Sequence, residues 1–214
     1  MGGSSLEERR RQERRLIAAC RREMLRRPLA EVTMTCLAEA CGFSVWTANR
    51  ALYRVMANRE QLFRRAVVDL VRDIEAAIGR APAPAPSVFQ SVRAYVEHMA
   101  RVMQLPDYRS LLFLLVRDGP YHPWVRELYE TRVAHPLVAG LERAALAAGA
   151  DAVAVFFRKG APAGLLRKME QALVVPWLLA GDDLPTEEAV RRLVEQGTGE
   201  AIASSYAYEV GAAA

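Results

Sequence analysis

The stretch that most constrains this chain is Thr33 to Ser44, because it starts and stops a helix within a few positions. Thr33 offers an N-cap oxygen to the orphan backbone donors of a following helix. That helix is predicted over about Met34 to Cys41, with Leu37, Ala38 and Cys41 on its inward face. Gly42 then stands where a left-handed residue is needed to leave a helix. Phe43 is apolar, and Ser44 is again an N-cap residue, so a third helix is predicted over about Val45 to Met56. Asn58 caps a fourth, which begins Arg59-Glu60 and keeps helical period to about Ile78.

A short helix, a glycine turn and a second capped helix together make a helix-turn-helix. Its second helix projects past the scaffold and fits the width of the DNA major groove, with its N-terminal residues reaching base edges. The first helix crosses the phosphate backbone, where its amides and the hydroxyls of Thr33 and Thr35 can meet phosphate oxygens. Charge follows the same layout. Residues 1–80 hold 16 Arg and no Lys against 10 acids, while residues 81–214 hold 13 basic residues against 15 acids. Nine of those arginines lie between Arg9 and Arg27. Charge alone leaves two readings open: a phosphate-facing module, or a solvated helix face. The helix that carries them buries one stripe through Leu16, Ile17, Cys20, Met24 and Leu25 and stops at Pro28.

The run Thr33, Leu37-Ala38, Cys41-Gly42-Phe43-Ser44, Leu52-Tyr53, Met56 and Asn58-Arg59-Glu60-Gln61-Leu62-Phe63 resembles the tetracycline-repressor (TetR) family. The resemblance implies an N-terminal three-helix DNA-binding domain and a C-terminal helical domain for ligand binding and dimerisation. In that family about three residues separate the turn serine from the Leu-Tyr pair, whereas Val45 to Ala51 lie between them here. The surplus is close to one helical turn, so the faces of the helix stay in register. The resemblance implies groove contacts by Thr47, Asn49, Arg50 and Arg54, with Ser44 at the turn, and phosphate contacts by Tyr53 and Arg59. Asn pairs well with adenine and Arg with guanine. Trp46 either meets a thymine methyl or a sugar, or fills an enlarged core or a partner surface.

Beyond these helices every segment again has helical pattern and no strand-period alternation, so the fold class is all-α. The alternating Ala and Pro of residues 81–87 form a stiff linker between a first domain, 1–80, and a second, 88–214. Helices are predicted over Val88 to Met103, Tyr108 to Arg117, Pro123-Trp124 to about Ala148 with a kink or split at Pro136, Asp151 to Phe157, Leu165 to Ala180 bent at Pro176, and Thr186 to about Tyr206. Residues 159–164 are predicted as a loop. By resemblance, Tyr95, Met99, Met103, Phe113, Trp124, Tyr129 and Trp177 line a pocket for a small apolar ligand, with His98 and His135 as polar handles. Likewise the last two helices, through Leu165, Leu166, Met169, Leu173, Val174 and Trp177 and then Val190, Leu193, Val194, Ile202 and Tyr206, make a homodimer that sets two recognition helices on double-stranded operator DNA.

Three cysteines, Cys20, Cys36 and Cys41, match no disulfide framework or zinc spacing and read as packing residues. No phosphate loop, nucleophile elbow or metal-ligand cluster is present, so neither an enzyme nor a cofactor or metal is expected. No apolar run approaches the ~18 residues of a membrane span, and Met1 to Arg15 lacks a signal-type apolar stretch. The expected protein is a cytoplasmic, effector-released transcription repressor. The alternative is a protein-interaction module of the same fold with a remodelled recognition helix.

Overall fold

A computed structural model describes residues 3–55, 58–147, 161–180, 188–196 and 198–199. Among them the regular structure is helical throughout, as the sequence patterning predicts. Helix α1 is Gly3–Arg26, and a single 3-10 turn, Leu29–Glu31, follows Pro28. Then come α2, Met34–Cys41, α3, Val45–Val55, α4, Arg59–Ile78, α5, Val88–Met103, and α6, Pro106–Arg117. Helix α6 begins two residues earlier than predicted because Pro106 fits the first helical turn, where no N–H is required.

The long helix predicted after Pro123 is split. It runs as α7, Pro123–Tyr129, a π-helical segment, Glu130–Ala134, and α8, His135–Leu146. Pro136 is the cause: it has no N–H to return to the preceding turn, and the helix widens there. The loop predicted at 159–164 is corrected, since Ala161 already opens α9, Ala161–Leu173. The single helix expected to Ala180 is likewise two pieces, with α10, Val175–Ala180, starting where Pro176 can occupy a first turn. A last stretch, α11, is helical over 188–196. The helix predicted over Asp151 to Phe157, and Ile202 and Tyr206, lie outside the described residues.

By compactness the chain divides into two units. The first comprises 1–73 and 110–129, and the second 74–109 and 130–214. The sequence reading divides the chain at 81–87, whereas compactness groups 110–129 with the first unit. In the first unit, α1, α2 and α3 pack on one another. Leu16, Cys20 and Met24 of α1 meet Leu37, Ala38, Leu52, Leu62 and Phe63 in a core with almost no exposure.

In the second unit α5 packs on α8, and α9 packs on both. Tyr95 is buried, and Gly140 makes room for it: a Cβ on Gly140 would stand 1.8 Å from the phenol oxygen. Burial pushes the Tyr95 pKa up to about 12. The π segment is held by Arg132, whose Nε donates to Glu75 Oε1 at 2.7 Å. At the other end of the unit the Tyr108 hydroxyl donates to Glu170 of α9. Leu165, Leu166, Met169, Leu173 and Val174 are buried within this unit, and the outward residues of α9 include Arg167, Lys168 and Gln171.

Gly140→Ala forces Tyr95 or the α5–α8 spacing to shift. A loss of about 1–3 kcal/mol in urea unfolding is expected. A second change, Tyr95→Phe, removes the phenol oxygen and relieves part of it.

Candidate nucleic-acid interface

The geometry of the site starts with two caps and a reversal. Thr33 Oγ1 accepts from the Cys36 N–H at 3.2 Å and starts α2. At the far end Gly42 takes φ 63°, ψ 36°, the left-handed conformation. Its N–H donates to the Glu39 carbonyl at 3.0 Å, and the Phe43 N–H donates to the Ala38 carbonyl at 2.9 Å. This is a Schellman closure, and it satisfies carbonyls that α2 would otherwise leave open. Ser44 Oγ accepts from the Thr47 N–H at 3.1 Å and starts α3. Asn58 Oδ1 does the same for the Gln61 N–H at 2.9 Å and starts α4.

The two faces of α3 then separate by chemistry. Ala48, Ala51 and Leu52 are buried and anchor the helix. Trp46 and Tyr53 are each 67% exposed, and Arg50 is exposed between them. The Arg50 guanidinium lies over the Trp46 ring, 5.0 Å from its centroid. Thr47 and Asn49 flank the stripe, half-buried. An outward face that alternates aromatic rings with amide, hydroxyl and guanidinium donors can stack, and can also hydrogen-bond to flat polar edges.

The arginines of α1 resolve into two groups. Arg15 reaches across to the Cys41 carbonyl at 2.5 Å and lies over the Phe43 ring, while Arg22 donates to the Ala40 carbonyl at 3.1 Å. Both cap the negative C-terminal end of α2. Arg21 pairs with Asp69 and Asp73 of α4, and Arg26 and Arg27 pair with Glu23. Arg10, Arg11 and Arg14 remain on the exposed side of α1. The charge run thus serves partly as internal scaffolding.

Asp118 ties 110–129 to the chain after α1 within this unit. Its carboxylate, 3% exposed as a residue, accepts from the Leu29 N–H at 3.0 Å. It also accepts from Arg117 Nε at 2.9 Å and Nη2 at 2.6 Å. The same Nη2 donates to the Met24 carbonyl at the end of α1. Glu60 is a second tie: its Oε1 accepts from Trp124 Nε1 and lies 3.5 Å from His122 Nδ1, while Arg64 covers the Trp124 ring. Neither tie is visible in the sequence around Asp118-Gly119-Pro120. Neighbouring opposite charges before Gly-Pro look like a solvated turn, and nothing local marks their burial.

The predicted contact residues are therefore placed as follows. Thr35, Ser44, Trp46, Arg50 and Tyr53 are exposed. The Thr33 hydroxyl is engaged as a cap and pairs with Cys36 Sγ at 3.1 Å. Ser44 Oγ and Thr47 Oγ1 bond one another at 2.9 Å. Arg59 is exposed, yet its Nη1 donates to the Val32 carbonyl at 3.2 Å, which fixes the residue before the α2 cap. Arg54 is on α3, and its side chain lies outside the described residues. Of the predicted pocket, Tyr95, Met99 and Met103 share the buried face of α5 in the second unit. Phe113, Trp124 and Tyr129 belong to the first unit, where Trp124 is tied to Glu60 and Phe113 lies under Arg117. The Trp177 side chain is outside the described residues. Neither unit gathers all seven. His98 is buried with Nε2 3.3 Å from the Ile78 carbonyl, and burial holds its pKa below the usual histidine range. His135 is exposed.

No family model matches the chain, and no curated protein does. Among solved structures, a protein of Mesorhizobium loti MAFF303099, provisionally assigned as a TetR-family transcriptional regulator, matches 92% of this chain and 97% of its own with a TM-score of 0.60. The chain has the TetR fold. At 13% identity the likeness is one of fold. Among the described residues no helix is long and apolar enough to cross a membrane.

Two substitutions probe what holds the TetR-fold head. Gly42→Ala must carry a Cβ into the left-handed region, at a cost of roughly 1–2 kcal/mol. Asp118→Ala removes the charge partner of a mostly buried guanidinium and the acceptor of the Leu29 N–H, and a loss of about 3–5 kcal/mol is expected. Urea denaturation reads both, and Asp118→Asn, which keeps an acceptor oxygen, should lose less.

Proposed function

We propose that this protein is a DNA-binding transcription regulator, a dimeric repressor that leaves its operator when a small apolar effector binds. The carrying observation is the outward stripe of α3. Burial of Ala48, Ala51 and Leu52 fixes the helix so that Trp46, Arg50 and Tyr53 must face out. A capped helix with such a face, behind a tight turn and beside a basic α1, is what a major groove accepts. Arg50 and Asn49 take base edges, and Arg54 is assigned beside them by its place on α3. Tyr53, Thr35 and Arg59 take phosphates, as does the Ser44–Thr47 turn through its amides. A guanidinium carries further donors beyond the one Arg59 gives to Val32.

Two copies would place two such helices on one duplex, about 34 Å apart. The predicted dimer residues on α9 are buried in their own unit, so α9 would meet a partner copy through its outward side. The effector is assigned to the second unit, beside the apolar face of α5 that carries Tyr95, Met99 and Met103. It releases DNA only if it binds the released conformation more tightly than the DNA-bound one.

The rival reading is a protein-interaction module. The exposure of Val45, Trp46 and Tyr53 favours it, since interfaces are rich in aromatic anchors. Selection of bound fragments from genomic DNA separates the two: recovery of a recurrent paired half-site supports the repressor, and retention of no duplex at low salt rejects it.

If DNA is the ligand, affinity should fall steeply with salt, by about a thousandfold or more between 50 and 200 mM for six or more phosphate contacts. A mobility-shift series that stays flat contradicts this. Arg50→Ala should flatten preference at one operator position, worth about 1–3 kcal/mol. Arg59→Ala should instead weaken all sequences alike and reduce the salt slope by about one.

A further inference from the structure

The proposed DNA contact leaves Trp46 unexplained, because an indole on a groove-facing helix has few chemical partners. We infer that Trp46 reads the C5-methyl group of a thymine next to the guanine taken by Arg50. The inference rests on the DNA-binding reading and deepens it.

Three observations carry it. First, Trp46 is the second residue of α3, at the end of a recognition helix that enters the groove, and it is 67% exposed. It cannot turn inward, because Ala48, Ala51 and Leu52 already fill the opposite face. Secondly, its ring is not isolated. The Arg50 guanidinium lies 5.0 Å from its centroid, and Val45 beside it is 42% exposed. Ring and guanidinium thus form one stacked pair, with an apolar member and a forked donor member. Thirdly, the major groove offers many donors and acceptors but a single apolar group on its base edges, the thymine methyl. The forked donors of an arginine match the O6 and N7 of guanine. A stacked indole and guanidinium can therefore meet a methyl and a neighbouring guanine on successive base pairs, and the stacking fixes the distance between the two readings.

The test uses the full-length protein and duplexes chosen by selection from random sequence. Each thymine beside a guanine is replaced, one at a time, by deoxyuridine, which removes only the methyl. The wild-type protein should lose about fourfold in affinity at one thymine per half-site, the value of one buried methyl group. The loss should be equal at low and high salt, since no charge changes. Trp46→Ala should bind thymine and uracil duplexes equally, measured at low salt where weak binding is still readable. Its melting temperature should match the wild type, because the side chain is exposed. Arg50→Ala should lose the response to 7-deazaguanine, which lacks N7, and, without the stacking partner of Trp46, should respond less to uracil than the wild type. Uracil tolerated at every position by the wild type overturns the inference, as does a Trp46→Ala protein that still discriminates. In both cases DNA binding itself stands. If no duplex binds at all, the DNA-binding reading fails, and the methyl reading with it.

Discussion

The reversal at Gly42 governs everything that α3 can present. A helix of eight residues ends in a left-handed glycine, and two arginines of α1 close over its exposed carbonyls. The next helix can then start at once on Ser44. Had the chain continued through an extended loop, α3 could swing, and its outward face would have no fixed direction. The turn is held in place because several of its polar groups have a partner close by. Gly42 and Phe43 N–H groups face backbone carbonyls, Ser44 faces Thr47, and Arg15 faces both Cys41 and Phe43.

The same economy runs through the arginines. A guanidinium has several donors, so one side chain can cap a helix and still meet a second group. Arg15 caps a carbonyl and covers a ring. Arg117 binds Asp118 twice and also the Met24 carbonyl. Arg59 holds Val32 and lies 5.6 Å from the Phe63 ring centroid. A net charge counted along the sequence cannot separate arginines used in this way from those that face a partner.

What the sequence made legible was local. Thr33, Gly42, Ser44 and Asn58 are signals whose physics acts within one turn of chain, and each sits where it was expected. Helical periodicity likewise found α4 and α5. What it could not reveal depends on residues distant in sequence. Asp118 lies 89 positions from Leu29, and only the folded chain brings them together. The apolar face of α9 is equally plain in the sequence, but periodicity does not say whether such a face meets its own unit or a partner. It meets its own unit. Of the proposed contacts, Arg50 and Tyr53 were implied by the resemblance, and both are exposed on α3. The commitment of Arg59 to the Val32 carbonyl, 27 positions away, could not be read from the sequence.

The Asp118 tie also bears on how such a protein could be rebuilt. Sensor and reader modules are attractive to recombine, and the Ala-Pro stretch at 81–87 is an inviting place to cut. A graft made there would carry α1 to α4 away and leave behind the carboxylate that holds Leu29 and the indole that holds Glu60. The transplanted head would meet a foreign α6 end with two unmatched polar positions. A working hybrid would need to take the α6–α7 corner along with the reader, so the smallest exchangeable part of this chain is discontinuous.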